Sequence, residues 1–158
     1  MRVRIEGQPR GAGRRFALVV ARFNDFVTAK LAVAAREALL EHGVAEADVD
    51  EIPVPGAFEI PLAARVAAES GRYAAVVCLG AVIRGGTPHF EYVAGECARG
   101  VSSVSRDTGV PAVFGVLTTD TVEQATDRAG GTLGNKGRDA ALAALEMADL
   151  LAGLRAGS

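Results

Sequence analysis

Apolar residues along this chain are concentrated in four short runs, and segments with helical spacing separate these runs. Residues 15–21, 74–83 and 111–118 are almost continuously apolar, whereas residues 48–54 alternate between apolar and polar positions. Continuous runs of this length are typical of strands buried on both faces, and alternation is typical of a strand with one exposed face. The pattern therefore predicts four strands.

A segment with helical spacing follows each predicted strand. The predicted helices run from residue 24 or 25 to about 42, over 59–70, from 89 or 90 to 108, over 121–129 and over 137–154. The glycine-rich residues 130–135 are predicted as a break between the last two helices. Strands that alternate with helices favour a parallel sheet covered by helices on both faces, so the predicted fold class is α/β.

The residues at the predicted helix ends suit those positions. Asn24 or Asp25 is expected to cap the first helix, and Gly43 is expected to end it. One of residues 119–121, which are Thr, Asp and Thr, is expected to cap the fourth helix. Pro61 stands in the first turn of the second helix, where its missing N–H costs little.

The last predicted helix carries a broad apolar stripe among alanines. The stripe consists of Leu142, Leu145, Met147, Leu150, Leu151 and Leu154. One interpretation is a simple core helix. The other is a helix that also contacts a neighbouring subunit, because the stripe is wider than one buried face needs. The 49% hydrophobic content of the chain favours oligomerisation in the same way.

Length and charge narrow the possible function classes. The 158 residues fit a single domain, with residues 1–14 as a short N-terminal extension. The net charge is −2, and Lys30 and Lys136 are the only lysines, so a nucleic-acid surface is not expected. Cys78 and Cys97 lack metal-ligand spacing and are predicted to be buried thiols in a reducing compartment. With no secretory signal or membrane span expected either, the predicted location is the cytoplasm.

The segment between the third strand and the third helix carries the most distinctive chemistry. It reads GAVIRGGTPHFEY over residues 80–92. Open α/β sheets bind ligands at the connections from strand ends to helices. Paired glycines before a helix N-terminus let an anion approach the free backbone N–H groups there. His89 adds a side chain that titrates near neutrality. The alternative interpretation is a glycine turn followed by a surface histidine.

Further aromatic and polar residues follow the other strands. Arg22, Phe23 and Asn24 follow the first, and residues 56–59 (GAFE) follow the second; the fourth strand holds Phe114, and Arg128 and Lys136 come later. Together they predict a site for an aromatic ring, a polyol or other polar edge, and an anion. Each also fits a structural role on its own. Phe23 could be a core residue, and Lys136 could simply be solvated. Glu59 would be a favourable charge at the positive end of a helix dipole, and Arg128 would be one at the negative end.

The sequence lacks the motifs of several other chemistries. Residues 11–16 (GAGRRF) begin like a dinucleotide-binding loop but precede the first strand, and residues 130–137 lack the Gly-Lys-Ser/Thr of a Walker loop. There is no zinc-protease or serine-hydrolase motif, and His42 and His89 are too few for a zinc site. No metal or nucleotide cofactor is expected.

Five motifs, in order along the chain, resemble the 6,7-dimethyl-8-ribityllumazine synthase family. They are ARFN (21–24), VPGAFEIP (54–61), GAVIRGGTPHF (80–90), FGVLT (114–118) and GNKG (134–137). The resemblance implies a three-layer flavodoxin-like sandwich with a four-stranded parallel sheet. It also implies the penultimate step of riboflavin biosynthesis, in which 5-amino-6-(D-ribitylamino)uracil and 3,4-dihydroxy-2-butanone 4-phosphate condense. The reaction releases phosphate and two waters and uses no metal or organic cofactor.

The resemblance also implies roles for individual residues. Phe23 would stack on the pyrimidine, Glu59 would accept hydrogen bonds from ribityl hydroxyls, and His89 would carry protons. Further substrate contacts would come from Ala57, Phe58, Ala81, Val82 and Ile83. The phosphate would lie between Gly86 and Thr87 on one side and Arg128 on the other. Phe114, Arg128 and Lys136 would come from an adjacent subunit. Family members often have Glu, Asp or Ala at position 86, so Gly86 can offer only its backbone N–H.

The resemblance implies an assembly as well. The family forms pentamers, and some members build a hollow shell from twelve pentamers that can hold riboflavin synthase. Members that stop at pentamers tend to have extra residues before the last helix, and residues 128–136 are short here, which favours the sixty-subunit shell. Two rival functions are a flavin or lumazine carrier and a purely structural shell protein. The presence of both His89 and Arg128 argues against the carrier, and a structural shell protein would tolerate the loss of these residues.

Overall fold

Four parallel strands and five helices make up most of the computed structural model, which describes residues 2–157. The strands of the main sheet are β1 (Phe16–Ala21), β2 (Val49–Val54), β3 (Ala75–Ile83) and β4 (Ala112–Thr119). The helices are α1 (Asp25–Glu41), α2 (Ile60–Glu69), α3 (His89–Thr108), α4 (Val122–Asp127) and α5 (Lys136–Ala156). The predicted strands and helices are confirmed, with small shifts at their ends.

The sheet has the strand order β2-β1-β3-β4, and every neighbouring pair is parallel. The chain therefore moves outward from β1 to β2 and then returns to the other side of β1 to build β3 and β4. This order places a topological switch point between β1 and β3. At such a point the connections leave on opposite faces, and a crevice opens at the carboxyl ends of the strands.

Alternate residues of the inner strands face two separate cores. In β1, Phe16, Leu18 and Val20 pack with α1 and α5, whereas Ala17 and Val19 pack with α2 and α3. Because both faces are covered, the strand is apolar at every position, which explains the continuous runs in the sequence. The fold is thus the predicted α/β sandwich, with helices on both faces of one parallel sheet.

Helix α5 packs closely against α1. A Cβ atom added at Gly137 would lie 2.1 Å from the backbone oxygen of Leu31, so only glycine allows this approach. Farther along α5, Leu145 is fully buried, whereas Met147 and Leu154 are 40% and 51% exposed. The helix therefore belongs to the core and also presents apolar side chains on the surface of the single chain.

The N-terminal segment lies against the middle of α5. Asp149 on that helix is buried and accepts hydrogen bonds from the backbone N–H of Gln8 (2.8 Å), Nε of Arg10 (2.9 Å) and Nη1 of Arg14 (3.0 Å). These hydrogen bonds, that of Arg10 above all, hold the pKa of Asp149 well below its usual range. One carboxylate on α5 therefore holds much of the predicted N-terminal extension.

Three local predictions need correction. The segment predicted as an unstructured glycine break contains two short antiparallel strands, β5 (Ala129–Gly131) and β6 (Gly134–Asn135). As a consequence α4 ends at Asp127, two residues earlier than expected. Asn24 stands at the N-cap position of α1, but its side chain makes no capping hydrogen bond. The cap on α4 is Thr121, which forms a capping box with Gln124.

The two cysteines are buried in the core beside α2 and α3, as predicted. Burial raises the pKa of the Cys97 thiol to about 11 and raises that of Cys78 as well, so both thiols are protonated near neutral pH. Within residues 2–157, none of the helices has the length and apolar character needed to cross a bilayer.

Candidate active site

Two adjoining clefts open at the carboxyl ends of β1, β2 and β3, beside the switch point of the sheet. Their volumes are about 500 Å³ and 270 Å³, and Phe23, Ala57, His89 and Val93 line both of them. The larger cleft is also lined by Pro55, Gly56, Phe58, Glu59 and Tyr92. The smaller one is also lined by Asn24, Ala81, Val82, Ile83, Gly85, Thr87 and Phe90. Most of the predicted site residues therefore come together in one region.

Phe23 forms the wall between the two clefts. The backbone N–H of Arg22 donates to the Val54 oxygen (2.8 Å) and that of Phe23 donates to the Pro55 oxygen (3.0 Å), so the pairing of β1 with β2 continues past the strand ends. The Phe23 ring is 71% exposed. The core alternative for this residue is therefore wrong, and an exposed ring beside a cleft is suited to stacking on a planar ligand.

Asn24 holds the backbone that follows Phe23. It is the one non-glycine residue with positive φ in the described chain (φ 64°, ψ 43°), and its Nδ2 donates to the backbone oxygen of Ala81 at 2.9 Å. Asparagine tolerates this left-handed conformation better than most residues do. The side chain thus crosses the switch point and joins the end of β1 to the end of β3.

Glu59 lines the larger cleft together with Phe23, at the end of a single 3-10 turn (Ala57–Glu59) that precedes α2. Its carboxylate makes no capping hydrogen bond to the helix. A Cβ atom added at Gly56 would lie 3.3 Å from Glu59 Oε1 and 4.0 Å from the Cβ of Phe23. The carboxylate therefore lies close to Gly56 in the lining of the larger cleft, where it can accept hydrogen bonds from a polar ligand.

His89 begins α3, and the preceding loop forms the outer edge of the smaller cleft. Both His89 and Thr87 line that cleft and are exposed. Gly86 does not line either cleft, and a Cβ atom there would meet nothing within 4 Å. An alanine methyl group would therefore fit at this position without rearrangement.

Arg84 begins this loop and was not among the predicted site residues. Its guanidinium donates to Asp120 (2.8 Å) and to Glu91, and it lies 4.3 Å from the centre of the Phe90 ring. These hydrogen bonds, with Asp120 as the main cause, raise the pKa of Arg84, and the pKa of Glu91 is lowered chiefly by its bond to Arg84. Sequence spacing gave no signal for the Asp120 contact, since it lies 36 positions away.

Phe114, Arg128 and Lys136 line neither cleft in the single chain. Phe114 lies on the edge strand β4 with 38% of its surface exposed, and Lys136 is exposed at the start of α5. Arg128 follows α4, where its Nη1 donates to the Gln124 oxygen at 2.9 Å. The resemblance assigns these three residues to an adjacent subunit, and that assignment stays a prediction.

The charge of the two clefts is unusual for a site that would bind an anion. Among the described residues that line them, Glu59 is acidic, His89 is titratable, and none is arginine or lysine. Nor do the described residues include a group of three or more His, Cys, Asp and Glu side chains that could hold a metal ion. A phosphate bound here would therefore gain a cationic partner only from outside these linings.

Sequence reasoning did not single out Tyr92 or Val93 and did not foresee the contact that Asn24 makes. Tyr92 and Val93 line the larger cleft one helical turn after His89, and residues three and four apart on a helix share a face, so this periodicity was a usable signal. Asn24 was expected as one of two possible caps of α1 and among the polar residues after β1, but its bond to β3 was not predicted. Its partner Ala81 lies 57 positions away, and no local pattern reveals such a contact.

The fold and the site together define an α/β ligand-binding protein whose cleft lies at the switch point of a four-stranded parallel sheet. The chain also matches a family model described as 6,7-dimethyl-8-ribityllumazine synthase over residues 13–152. It therefore belongs to the 6,7-dimethyl-8-ribityllumazine synthase family, whose members are transferases of riboflavin biosynthesis.

Proposed function

We propose that this protein condenses 5-amino-6-(D-ribitylamino)uracil with 3,4-dihydroxy-2-butanone 4-phosphate. The products are 6,7-dimethyl-8-ribityllumazine, inorganic phosphate and two waters. The observation that carries the proposal is the arrangement of Phe23, Glu59 and His89 around adjoining clefts in a chain of this family. They offer an aromatic face, a hydrogen-bond acceptor and a proton carrier.

In this proposal the aromatic substrate lies against Phe23. The pyrimidine stacks on the ring, and its edge meets the last residues of β3, which are Ala81, Val82 and Ile83. The ribityl chain extends into the larger cleft beside Ala57 and Phe58, where the Glu59 carboxylate accepts hydrogen bonds from its hydroxyl groups. The two clefts thus correspond to the planar and the polyol part of one substrate.

The phosphate-bearing substrate lies at the loop before α3. Its phosphate is bound by the backbone N–H of Gly86 and by Thr87, where the positive end of the α3 dipole favours an anion. His89 is then close to the carbon atoms that react. The amine adds to the ketone and the adduct loses the first water to form an imine, phosphate leaves with its bonding electrons, and ring closure expels the second water. His89 relays the protons that these steps release and consume.

Much of the rate acceleration comes from holding the two reactants together. An amine and a ketone react without a cofactor once they are positioned, and well-oriented reactants gain effective molarities of about 10⁵ M or more. The bond from Asn24 to Ala81, which ties the backbone after Phe23 to β3, suits this task. The chemistry therefore depends on geometry and proton transfer.

The proposed site is completed by a neighbouring subunit. The linings of both clefts contain no arginine or lysine within the described chain, whereas a phosphate needs a cationic partner. Arg128 of an adjacent subunit supplies that charge, and Phe114 and Lys136 of the same neighbour add further substrate contacts. The exposure of Phe114, Met147 and Leu154 on the single chain supports a contact between subunits.

The activity is tested by mixing the purified protein with both substrates and following lumazine fluorescence. We expect lumazine fluorescence to rise, with one inorganic phosphate released for each lumazine formed. A carrier would instead bind the product without forming it, and a structural protein would do neither.

The sharing of the site is tested with His89→Ala and Arg128→Ala. Each variant alone is expected to be impaired. In mixed oligomers, obtained by refolding the variants together, about a quarter of the sites join an intact His89 to an intact Arg128 if these residues belong to different subunits. Recovery of activity supports a shared site, whereas a mixture no more active than its components shows that both residues serve the same subunit.

The assembly proposed is a pentamer, and twelve pentamers form a hollow shell with room for riboflavin synthase. The short turn between β5 and β6 supports the larger form. Analytical ultracentrifugation tests it, because sixty copies of a 16.2 kDa chain sediment far ahead of five. Co-purification with riboflavin synthase, followed by dissociation of the shell, tests the partner separately.

A further inference from the structure

The loop from residue 84 to residue 88 carries Thr87 and leads into His89, yet its glycines touch almost nothing. A Cβ atom at Gly85 or Gly86 would meet no heavy atom within 4 Å, and residues 84–89 are all exposed. Glycine loses more conformational freedom on ordering than any other residue. A loop of this composition therefore needs an anchor if Thr87 and His89 are to keep one position.

Arg84 provides such an anchor through four contacts. Its backbone N–H donates to the Thr119 oxygen at 2.8 Å, which extends the pairing of β3 with β4 beyond the strand. Its Nε donates to Asp120 at 2.8 Å, its Nη1 donates to Glu91, and its guanidinium lies over the Phe90 ring. The side chain thus joins the loop to the first turn of α3 and to the segment between β4 and α4.

We propose that Arg84 is a positioning residue, whose guanidinium, held between Glu91 and Asp120, fixes the β3–α3 loop so that Thr87 and His89 meet the phosphate-bearing substrate. The proposal rests on the proposed function for the identity of that substrate. Arg84 acts through the loop, and Glu91 and Asp120 belong to the same anchor because they hold its guanidinium in place.

A direct role would give Arg84 a different relation to its carboxylate partners. If the guanidinium itself bound the phosphate, Asp120 would compete with the ligand, and Asp120→Asn would tighten phosphate binding. If the guanidinium positions the loop, Asp120 is part of the anchor, and Asp120→Asn weakens phosphate binding although it removes a negative charge. The direction of this one effect separates the two roles.

The test uses the assembled protein with Arg84→Ala, Arg84→Lys and Asp120→Asn. The control is Arg99→Ala, which breaks an exposed ion pair between Arg99 and Glu96 (2.7 Å), both of which lie on α3. Hydrogen exchange is measured at the amides of residues 84 and 91, which donate to the oxygens of Thr119 and Pro88. Binding is measured by titration with inorganic phosphate.

We expect Arg84→Ala to exchange these amides about tenfold faster and to bind phosphate about tenfold more weakly, the loss typical of a charge-assisted hydrogen bond. Arg84→Lys should restore part of the slow exchange and part of the phosphate affinity. Asp120→Asn should show faster exchange and weaker phosphate binding, both to a smaller extent than Arg84→Ala. Arg99→Ala should change neither quantity. Unchanged exchange in Arg84→Ala overturns the proposal, as does tighter binding in Asp120→Asn or no phosphate binding by the parent protein. A parent protein that forms no lumazine overturns the proposed function instead, because exchange and phosphate titration do not depend on turnover.

Discussion

The side-chain amide of Asn24 donates to the backbone oxygen of Ala81 at 2.9 Å and so joins the ends of the two strands that flank the switch point. Asn24 also has a left-handed backbone, with φ of 64°. Two substitutions separate these properties. Asn24→Gly keeps the conformation and loses the bond, which should lower the free energy of unfolding by about 1 kcal/mol. Asn24→Ala loses both, and about 2–3 kcal/mol is expected.

Chemical denaturation at fixed protein concentration measures this difference. An alanine variant as stable as the glycine variant would contradict the importance of the left-handed backbone. We also expect both variants to bind the aromatic substrate less well, because the backbone after Phe23 loses its tie to β3.

His89→Ala should slow turnover by on the order of 10²-fold without abolishing it, because positioning of the reactants survives the loss of the proton carrier. Steady-state lumazine formation measures the effect. The control is His42→Ala, which removes the other histidine of the chain, one whose Nδ1 contacts the Ala38 oxygen (2.7 Å) at the end of α1. Turnover that is unchanged in His89→Ala would remove this residue from the mechanism.

Arg128→Ala should raise the KM for the butanone phosphate about tenfold or more, with a smaller effect on the KM for the pyrimidine, since a charge-assisted contact to phosphate is lost. Arg65→Ala is a suitable control, because it removes an arginine that pairs on the surface with Glu69 and Asp107. An unchanged KM for the phosphate-bearing substrate would show that another group binds the phosphate.

Asp149 should make the docking of the N-terminal segment sensitive to acid. The pKa of this carboxyl is lowered in the folded protein, so its contribution to stability is complete above the unfolded value of about 3.9 and is lost as the pH falls below it. We therefore expect Asp149→Ala to be less stable than the parent at pH 7, and the difference to shrink below about pH 4.

Thermal unfolding across this pH range measures the effect, with Glu146→Ala as a control at an exposed position of the same helix. A stability difference that does not change with acid would mean that the charge of Asp149 is unimportant for the docking. Proteolysis of the N-terminal segment in Asp149→Ala offers a second measure, since release of residues 8–14 would expose their backbone.

Gly137→Ala should destabilise the protein by about 1–3 kcal/mol, because the added methyl group would lie 2.1 Å from the Leu31 oxygen and the helices would have to separate. Gly153→Ala in the same helix is the matched control. Nothing lies within 4 Å of a Cβ atom there, and alanine is the better helix former, so this variant should gain about 0.5–1 kcal/mol. Denaturant titration of both variants decides whether close packing or helix propensity determines how an alanine in α5 changes the free energy of unfolding.

Much of the fold was predictable because local patterns determine it. The strands β1 and β3 are buried on both faces and therefore stand out as apolar runs. The cap at Thr121 depends on residues three positions apart. The antiparallel pair β5 and β6 was missed because its five residues are mostly glycine, and glycine carries no apolar signal for a strand.

The site was predictable in part, and for a different reason. Phe23, Glu59 and His89 each follow a strand, and parallel strands bring their carboxyl ends to one edge. The contacts that hold those residues in place join positions far apart along the chain, as from Arg84 to Asp120 and from Asn24 to Ala81. Such pairs leave no local periodicity in the sequence. One of the partners is the backbone oxygen of Ala81, and since every residue has a backbone oxygen, the residue type at that position gives no signal.

The close contact between Gly137 and Leu31 has a consequence for how the chain can vary in evolution. It fixes where α5 begins, while the turn between β5 and β6 at residues 132–133 is exposed. Residues inserted in that turn would therefore extend outward and leave the start of the helix in place. The turn before Gly137 can therefore change in length, whereas the start of α5 stays fixed by the contact of Gly137 with Leu31.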